Sequence, residues 1–253
     1  MNLLESPVRR FAMLWGLSKS DQREQVSAVI EVYYPYNAFA DESIQDRHGI
    51  KATGVAAYLA TFDNWLKCEE EWRGILRHYK VPLDGKKGHD EPFMHMTDFV
   101  AGKKQFHNDW PNAKRDAFME RLTMTISEHT ILGVSVSVID QDFQQALDSS
   151  ALGFWREPYF FCLWGAITTF MGLDERYEGM ALPYPLWFLL GDRQKAREFG
   201  ARIFHSVRIL NGHPERFGSV GFGDAWRTPQ IQAADILAYE GVRRGDVLKV
   251  VEN

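Results

Sequence analysis

The residues of this chain best suited to chemistry are carboxylates set beside apolar runs. Asp41 and Glu42 stand at the end of the first strand-like segment, in FADES. A carboxylate pair at a strand end is a fitting donor for Mg²⁺ or Mn²⁺, which prefer oxygen ligands and keep several waters. The competing reading is a turn in which the aspartate side chain satisfies nearby backbone N–H groups. His95 and Asp98 follow in FMHMTDF. On a strand their spacing sends the two side chains to opposite faces unless Asp98 already lies past the strand end. A core histidine and a helix cap are the structural alternatives for this pair.

Asp192 comes directly after LWFLLG, so it is expected at the rim of a buried sheet, where open α/β folds bind ligands; capping the following helix is the alternative. Asp235 is the sharpest signal. It is embedded in PQIQAADILAYE, where Ile231, Ala234, Ile236, Leu237 and Ala238 make the helix largely apolar around it. A carboxylate in that setting is costly unless it is paired, hydrogen-bonded or bound to a cation, which favours a site role.

Composition narrows the classes available. With 253 residues, 45% of them hydrophobic and 25% charged, the chain can bury a substantial core and is not expected to be disordered. A net charge of -5 argues against a dedicated binder of phosphate backbones; an acidic enzyme can still act on nucleic acid when metal ions supply local positive charge. The apolar run Tyr159 to Leu173 is shorter than the ~18 residues of a membrane span and reads as a buried helix. The N-terminus lacks the pattern of a secretory signal, and the two cysteines, Cys68 and Cys162, lie in helix-like apolar patterns. A cytoplasmic protein with buried free thiols is expected. No GxxxxGK[ST], GxGxxG or GxSxG pattern occurs, which removes the commonest nucleotide, dinucleotide and serine-hydrolase readings. Trp155, Trp164, Trp187 and Trp226 are expected in core or cleft packing, and Lys86-Lys87 and Lys103-Lys104 as solvated loop charges.

The elements that must position these groups alternate in type. Residues 1–34 form an extension of mixed charge, helical around Val26 to Tyr33, and residues 35–253 form a single α/β domain. Ala38 to Ser43 and Ile50 to Thr61 read as a hairpin around the polar connection QDRHG. Asp63 opens a helix that Pro82 stops, Phe93 to Phe99 reads as a short strand, and Pro111 to His129 as an amphipathic helix. ILGVSVSVID alternates as a strand, and one or two helices span Gln141 to Leu173. LWFLL is a strand buried on both faces. A helix from Gln194 to Phe204, a strand from Gly218 to Phe222 and a last helix from Pro229 to Arg244 complete the chain. The fold class predicted is α/β with a mixed central sheet flanked by helices.

Taken in order, FADES, GVAAYLA, the helix with EEEW, HMTDF, Asp192 and IQAADILAYE (Gln232, Asp235, Glu240) resemble the bacterial and phage family catalogued as domain of unknown function 3800, over about residues 38–245. That family's opening pattern usually reads Asp-Glu-Ser-Gly, and Ile44 stands here in place of the glycine; its members commonly begin almost directly at the first strand. The resemblance implies an RNase H-like fold and a site in which acidic residues bind two divalent cations. By position, Asp41, Asp192 and Asp235 would be the metal ligands for Mg²⁺ or Mn²⁺, with Glu42, His95 and Asp98 as second-rank catalytic candidates. Two such cations activate a water and stabilise the leaving oxygen of a phosphodiester without a covalent nucleophile.

The expectation is therefore a metal-dependent nuclease or phosphodiesterase acting on nucleic acid or a nucleotide. A non-catalytic interaction or defence-associated module on the same fold is the alternative, because fold does not determine function. Transfer chemistry on a small nucleotide is a third reading, which suits the acidic pI of about 5.9.

Overall fold

The computed structural model describes residues 36–83, 90–107, 110–148, 157–172, 184–192, 197, 200–210 and 212–251. The extension 1–34, Trp155 and Lys86-Lys87 lie outside these residues. The chain opens with β1 (Tyr36–Arg47) and β2 (Ile50–Thr61), paired antiparallel from Tyr36↔Thr61 to Arg47↔Ile50. The hairpin is tighter than the sequence suggests. Gln45, Asp46 and Arg47 belong to β1, and only His48 and Gly49 turn the chain, with φ of 55° and 80°. Two successive positive φ values give a turn whose twist matches the flanking strands, and Gly49 adopts its value without steric cost.

α1 (Phe62–His78) starts where Thr61 accepts a hydrogen bond from the Asn64 N–H at 3.2 Å, and it places Asp63 in its first turn and Arg77 and His78 in its last. Both charge placements suit the helix dipole. The segment read as a strand over Phe93 to Phe99 is instead an extended approach to α2 (Met96–Val100), with His95 as its N-cap residue. α3 (Asn112–His129), β3 (Leu132–Ile139), α4 (Asp140–Asp148) and α5 (Pro158–Met171) follow. Then come β4 (Leu186–Gly191), α6 (Ala201–Leu210), β5 (Phe217–Gly223) and α7 (Pro229–Val251). α6 ends six residues beyond the predicted Phe204, and most of the residues preceding Ala201 lie outside those described.

The five strands form one mixed sheet in the order β3-β2-β1-β4-β5, antiparallel from β3 to β1 and parallel from β1 to β5. The α/β class with helices flanking a mixed sheet is thus the architecture of the chain. β1 is the central strand, which explains why its apolar residues face two packed layers. On one face Ala38, Ala40, Val55, Leu186, Phe188 and Leu190 pack against α5 and α6. On the other, Phe39, Trp187 and Leu189 pack against Trp65 and Cys68 of α1 and Ile231 of α7. A further cluster, with Trp72, Phe99, Phe118, Ala233 and Ile236, joins α1, α2, α3 and α7. Among the described residues no helix is long and apolar enough to cross a membrane.

Candidate functional site

A line of polar side chains runs through this core where an apolar one would be expected. On β1 it comprises Asn37, Asp41, Ser43 and Gln45; on α7 it comprises Gln230, Gln232 and Asp235, and all seven are buried. The odd-numbered residues of β1 face the side on which α7 lies. Asp41 and Asp235 are only 5% and 4% exposed, so the carboxylates belong to the interface between sheet and helix.

Asp41 lies in the middle of β1 and not at its end, because β1 continues to Arg47. The parallel pairing with β4, however, stops at Ala40↔Leu190, so Asp41 stands where β4 terminates. Its carboxylate rests against Gly191: a Cβ placed at that glycine would lie 2.5 Å from Asp41 Oδ1 and 3.7 Å from Ile231 Cγ2. The absent side chain at Gly191 creates the room the carboxylate occupies. Asp41 Oδ1 also accepts the Glu42 N–H at 3.0 Å. Glu42, one residue on, points to the opposite face, with its cross-strand partner Val55 in the layer beneath α5 and α6. The adjacent acids therefore cannot clasp one ion together.

Ile231, Asp235 and Tyr239 recur at every fourth residue on one face of α7. Ile231 lies by Gly191 and Asp41, and Gln45 Nε2 donates to the Tyr239 carbonyl at 2.8 Å, which places Asp235 along the same stretch of β1. Asp235 Oδ2 accepts the Met96 N–H at 2.7 Å. One turn earlier, Gln232 Oε1 accepts from Trp72 Nε1 and from the Met94 N–H, both at 2.9 Å. These α7 side chains thus hold the segment that carries His95, and the buried carboxylate of Asp235 has at least one hydrogen bond to offset its desolvation.

His95 and Asp98 do meet, because α2 is a helix and residues three apart share a face. His95 Nδ1 lies 3.0 Å from Asp98 Oδ2, and Lys104 Nζ donates to the same oxygen at 2.6 Å. Burial works to raise the Asp98 carboxyl pKa, but the Lys104 and His95 contacts outweigh it and hold the group below the ordinary carboxylate range. Lys104 is therefore not merely a solvated loop charge, while Lys103 is exposed as expected. With Nδ1 committed to Asp98, the remaining Nε2 of His95 is the atom available for proton transfer.

Asp192 lies at the C-terminal end of β4 as predicted, and its N–H donates to the Gly223 carbonyl at 2.9 Å. Its two carboxylate oxygens are both taken by the Arg197 guanidinium, through Nε and Nη2. Asp192, followed by the electrostatic effect of Asp224, favours the charged form of Arg197. Asp224 directly follows β5, and because Gly191 pairs with Gly223 the two aspartates are neighbours at adjacent strand ends. Asp224 is absent from the candidates read from sequence; its signal was an aspartate closing the glycine-rich run GFGD.

The donor set is chemically suited to a hard divalent cation, since carboxylate oxygen is the preferred ligand. Its geometry is not a closed shell: Asp41, Asp192 and Asp235 do not bring ligand atoms within 4.8 Å of one another as a trio, and Asp192 is held by Arg197. Among the described residues that spacing is met by Glu71, Glu128 and His129. The thiols offer no alternative nucleophile. Burial, reinforced by Glu71 and Glu69 at Cys68 and by Asp140 at Cys162, pushes both up to about 12. The chain matches no model of a known protein family and no curated protein.

Proposed function

We propose that the chain is a divalent-metal-dependent phosphodiester hydrolase, a nuclease or phosphodiesterase, whose site is the polar seam between β1 and α7. The observation that carries this reading is the buried Asp41 carboxylate on the central strand, seated in the space left by Gly191 where β4 ends. A sheet with β1 central, an antiparallel β1–β3 half and parallel β4 and β5 is also in keeping with the RNase H-like fold. Asp41 and Asp235 would hold Mg²⁺ or Mn²⁺, and Asp192 would join them once Arg197 lets go. Such a cation supplies charge neutralisation at the phosphate and a stronger nucleophile from water. His95, oriented through Nδ1 by Asp98, serves to give or take a proton at Nε2, and Lys104 secures Asp98. A net charge of -5 fits a nucleic acid or nucleotide substrate only when a cation offsets it locally, and a cytoplasmic location accords with two buried thiols.

One set of contacts favours the non-catalytic alternative: Asp235 holds the Met96 N–H and Asp192 is held by Arg197, so both acids already have structural work. Calorimetric titration of Mn²⁺, paired with Mn²⁺-dependent hydrolysis of DNA, RNA and a chromogenic phosphodiester, separates the two. Asp41→Asn and Asp235→Asn preserve shape, and the new amide oxygen at 235 can still accept from Met96. The hydrolase reading expects turnover in the wild type and its loss in both folded variants. No turnover on any of these substrates, with cation binding unaltered by either substitution, would leave the acids as scaffold.

A further inference from the structure

We infer that Gln232 is a positioning residue of the proposed hydrolytic centre: its amide fastens the segment bearing His95 to the helix bearing Asp235, and it acts on proton transfer through His95 without touching substrate or cation. The inference rests on the hydrolase reading for what His95 does, and on geometry alone for how His95 is held.

Gln232 stands in the first turn of α7 and is 1% exposed. Its Oε1 accepts two hydrogen bonds, from the Met94 N–H and from Trp72 Nε1, each at 2.9 Å, while its Nε2 donates to the Ala225 carbonyl at 2.8 Å. Two donors on one side and an acceptor on the other fix which way the amide lies, because the flipped group would set N–H against N–H. The partners come from three separate stretches: α1, the extended approach to α2, and the 3₁₀ turn Ala225–Arg227 after β5. The buried amide is a joint between them.

Two features tie this joint to the site and not to the fold alone. Met94, which it holds, directly precedes His95. Met96, on the other side of His95, gives its N–H to Asp235 at 2.7 Å, so the backbone on both sides of the histidine is fastened to α7. Gln232 and Asp235 lie one helical turn apart and Met94 and Met96 two residues apart on an extended approach, so the rise of one matches the reach of the other. His95 heads α2 with no side-chain cap hydrogen bond, and its imidazole is held by Asp98 of that same short helix. The place of the imidazole relative to the seam is therefore set by the two α7 side chains. Asp235 is a cation ligand in the hydrolase reading, which leaves the neutral Gln232 as the group that places His95 without altering the charge of the seam.

The test uses the full chain with Mn²⁺ and the chromogenic phosphodiester, together with NMR of the imidazole signals, His95 being assigned by its loss in His95→Gln. Gln232→Met removes all three bonds. Gln232→Asn keeps a buried polar group but falls short of Met94, and serves if Gln232→Met does not fold. Gln232→Glu still accepts from Met94 and Trp72 through a carboxyl oxygen. The inference expects the His95 signal to shift in the folded Gln232→Met or Gln232→Asn chain and to return toward its wild-type position in Gln232→Glu, with His213, at the end of β5 away from the seam, unmoved. It expects kcat to fall by about tenfold or more while KM and Mn²⁺ affinity stay within about threefold, and Gln232→Met added to His95→Gln to slow the enzyme no further, since a residue acting through His95 then has nothing left to act on. An unmoved His95 signal in a folded variant overturns the inference, as does an additive loss in the double variant or an equal fall in kcat and Mn²⁺ affinity. A shifted signal in a chain that hydrolyses nothing overturns the hydrolase reading and leaves the placing of His95 by Gln232 standing.

Discussion

The β1–α7 seam and the α1–α3 groove use the same kinds of side chain under opposite conditions. In the seam, Asp41 and Asp235 are almost wholly buried, and their negative charge is tolerable only through fixed hydrogen bonds or a bound cation. In the groove, where Glu71 of α1 meets Glu128 and His129 of α3, Glu71 is half exposed, so water stabilises its charge. Burial thus makes the seam acids costly and consequential for the fold, while the groove acids can be altered with little structural penalty. A carboxylate's effect on stability distinguishes the two regions before any ligand is identified.

The sharpest way to break that contrast is to truncate one acid in each region. Asp235→Ala leaves the buried Met96 N–H without its acceptor and is expected to cost ~1–3 kcal/mol, against a change within about 0.5 kcal/mol for Glu71→Gln. Urea unfolding of both variants decides it; equal midpoints would mean that the seam acids are no more integral than surface ones. Gly191→Ala probes the space around Asp41 from the other side. The added methyl must push the carboxylate or the backbone, with an expected loss of ~1–3 kcal/mol and a weakened cation affinity. A neutral outcome in both measurements would show that the glycine is not reserved for Asp41.

The smallest effect concerns the edge of the seam. Asp98 is held below the ordinary carboxylate range by Lys104 and His95 against the effect of burial. A depressed folded-state pKa stabilises the protein above the unfolded value and gives that stability up as pH falls through the folded one, that is, below about pH 4. Asp98→Asn is expected to flatten the acid side of the stability–pH profile in that window, read from melting temperature between pH 2 and 6. A profile as steep as the wild type's would assign the acid sensitivity to other carboxylates.

Much of this architecture was legible because period and burial leave plain marks. The alternation of ILGVSVSVID, the unbroken LWFLL and the proline-led final helix each reappear as β3, β4 and α7. Phe93 to Phe99 departs from its strand-like pattern for a physical reason. Its apolar residues fit a strand's alternation, but Gln232 and Asp235 take the backbone N–H groups of Met94 and Met96, so side chains of α7 replace a sheet partner. Asp224 carries no mark of its own in the sequence, since one aspartate after a glycine-rich strand resembles any turn residue, and only the pairing of β4 with β5 sets it beside Asp192.

By itself the sequence determined that the chain builds an α/β core and that Asp235 must be an exceptional carboxylate, since both follow from local pattern and the cost of burying charge. Only the tertiary structure decided the rest. It sent Asp41 and Glu42 to opposite faces, gave Asp192 to Arg197, joined His95 to Asp98, and brought Glu71 beside His129 from helices far apart in the chain. Those outcomes depend on strand register, helix packing and the position of a partner many residues away, and no local pattern encodes which side chain a carboxylate will meet.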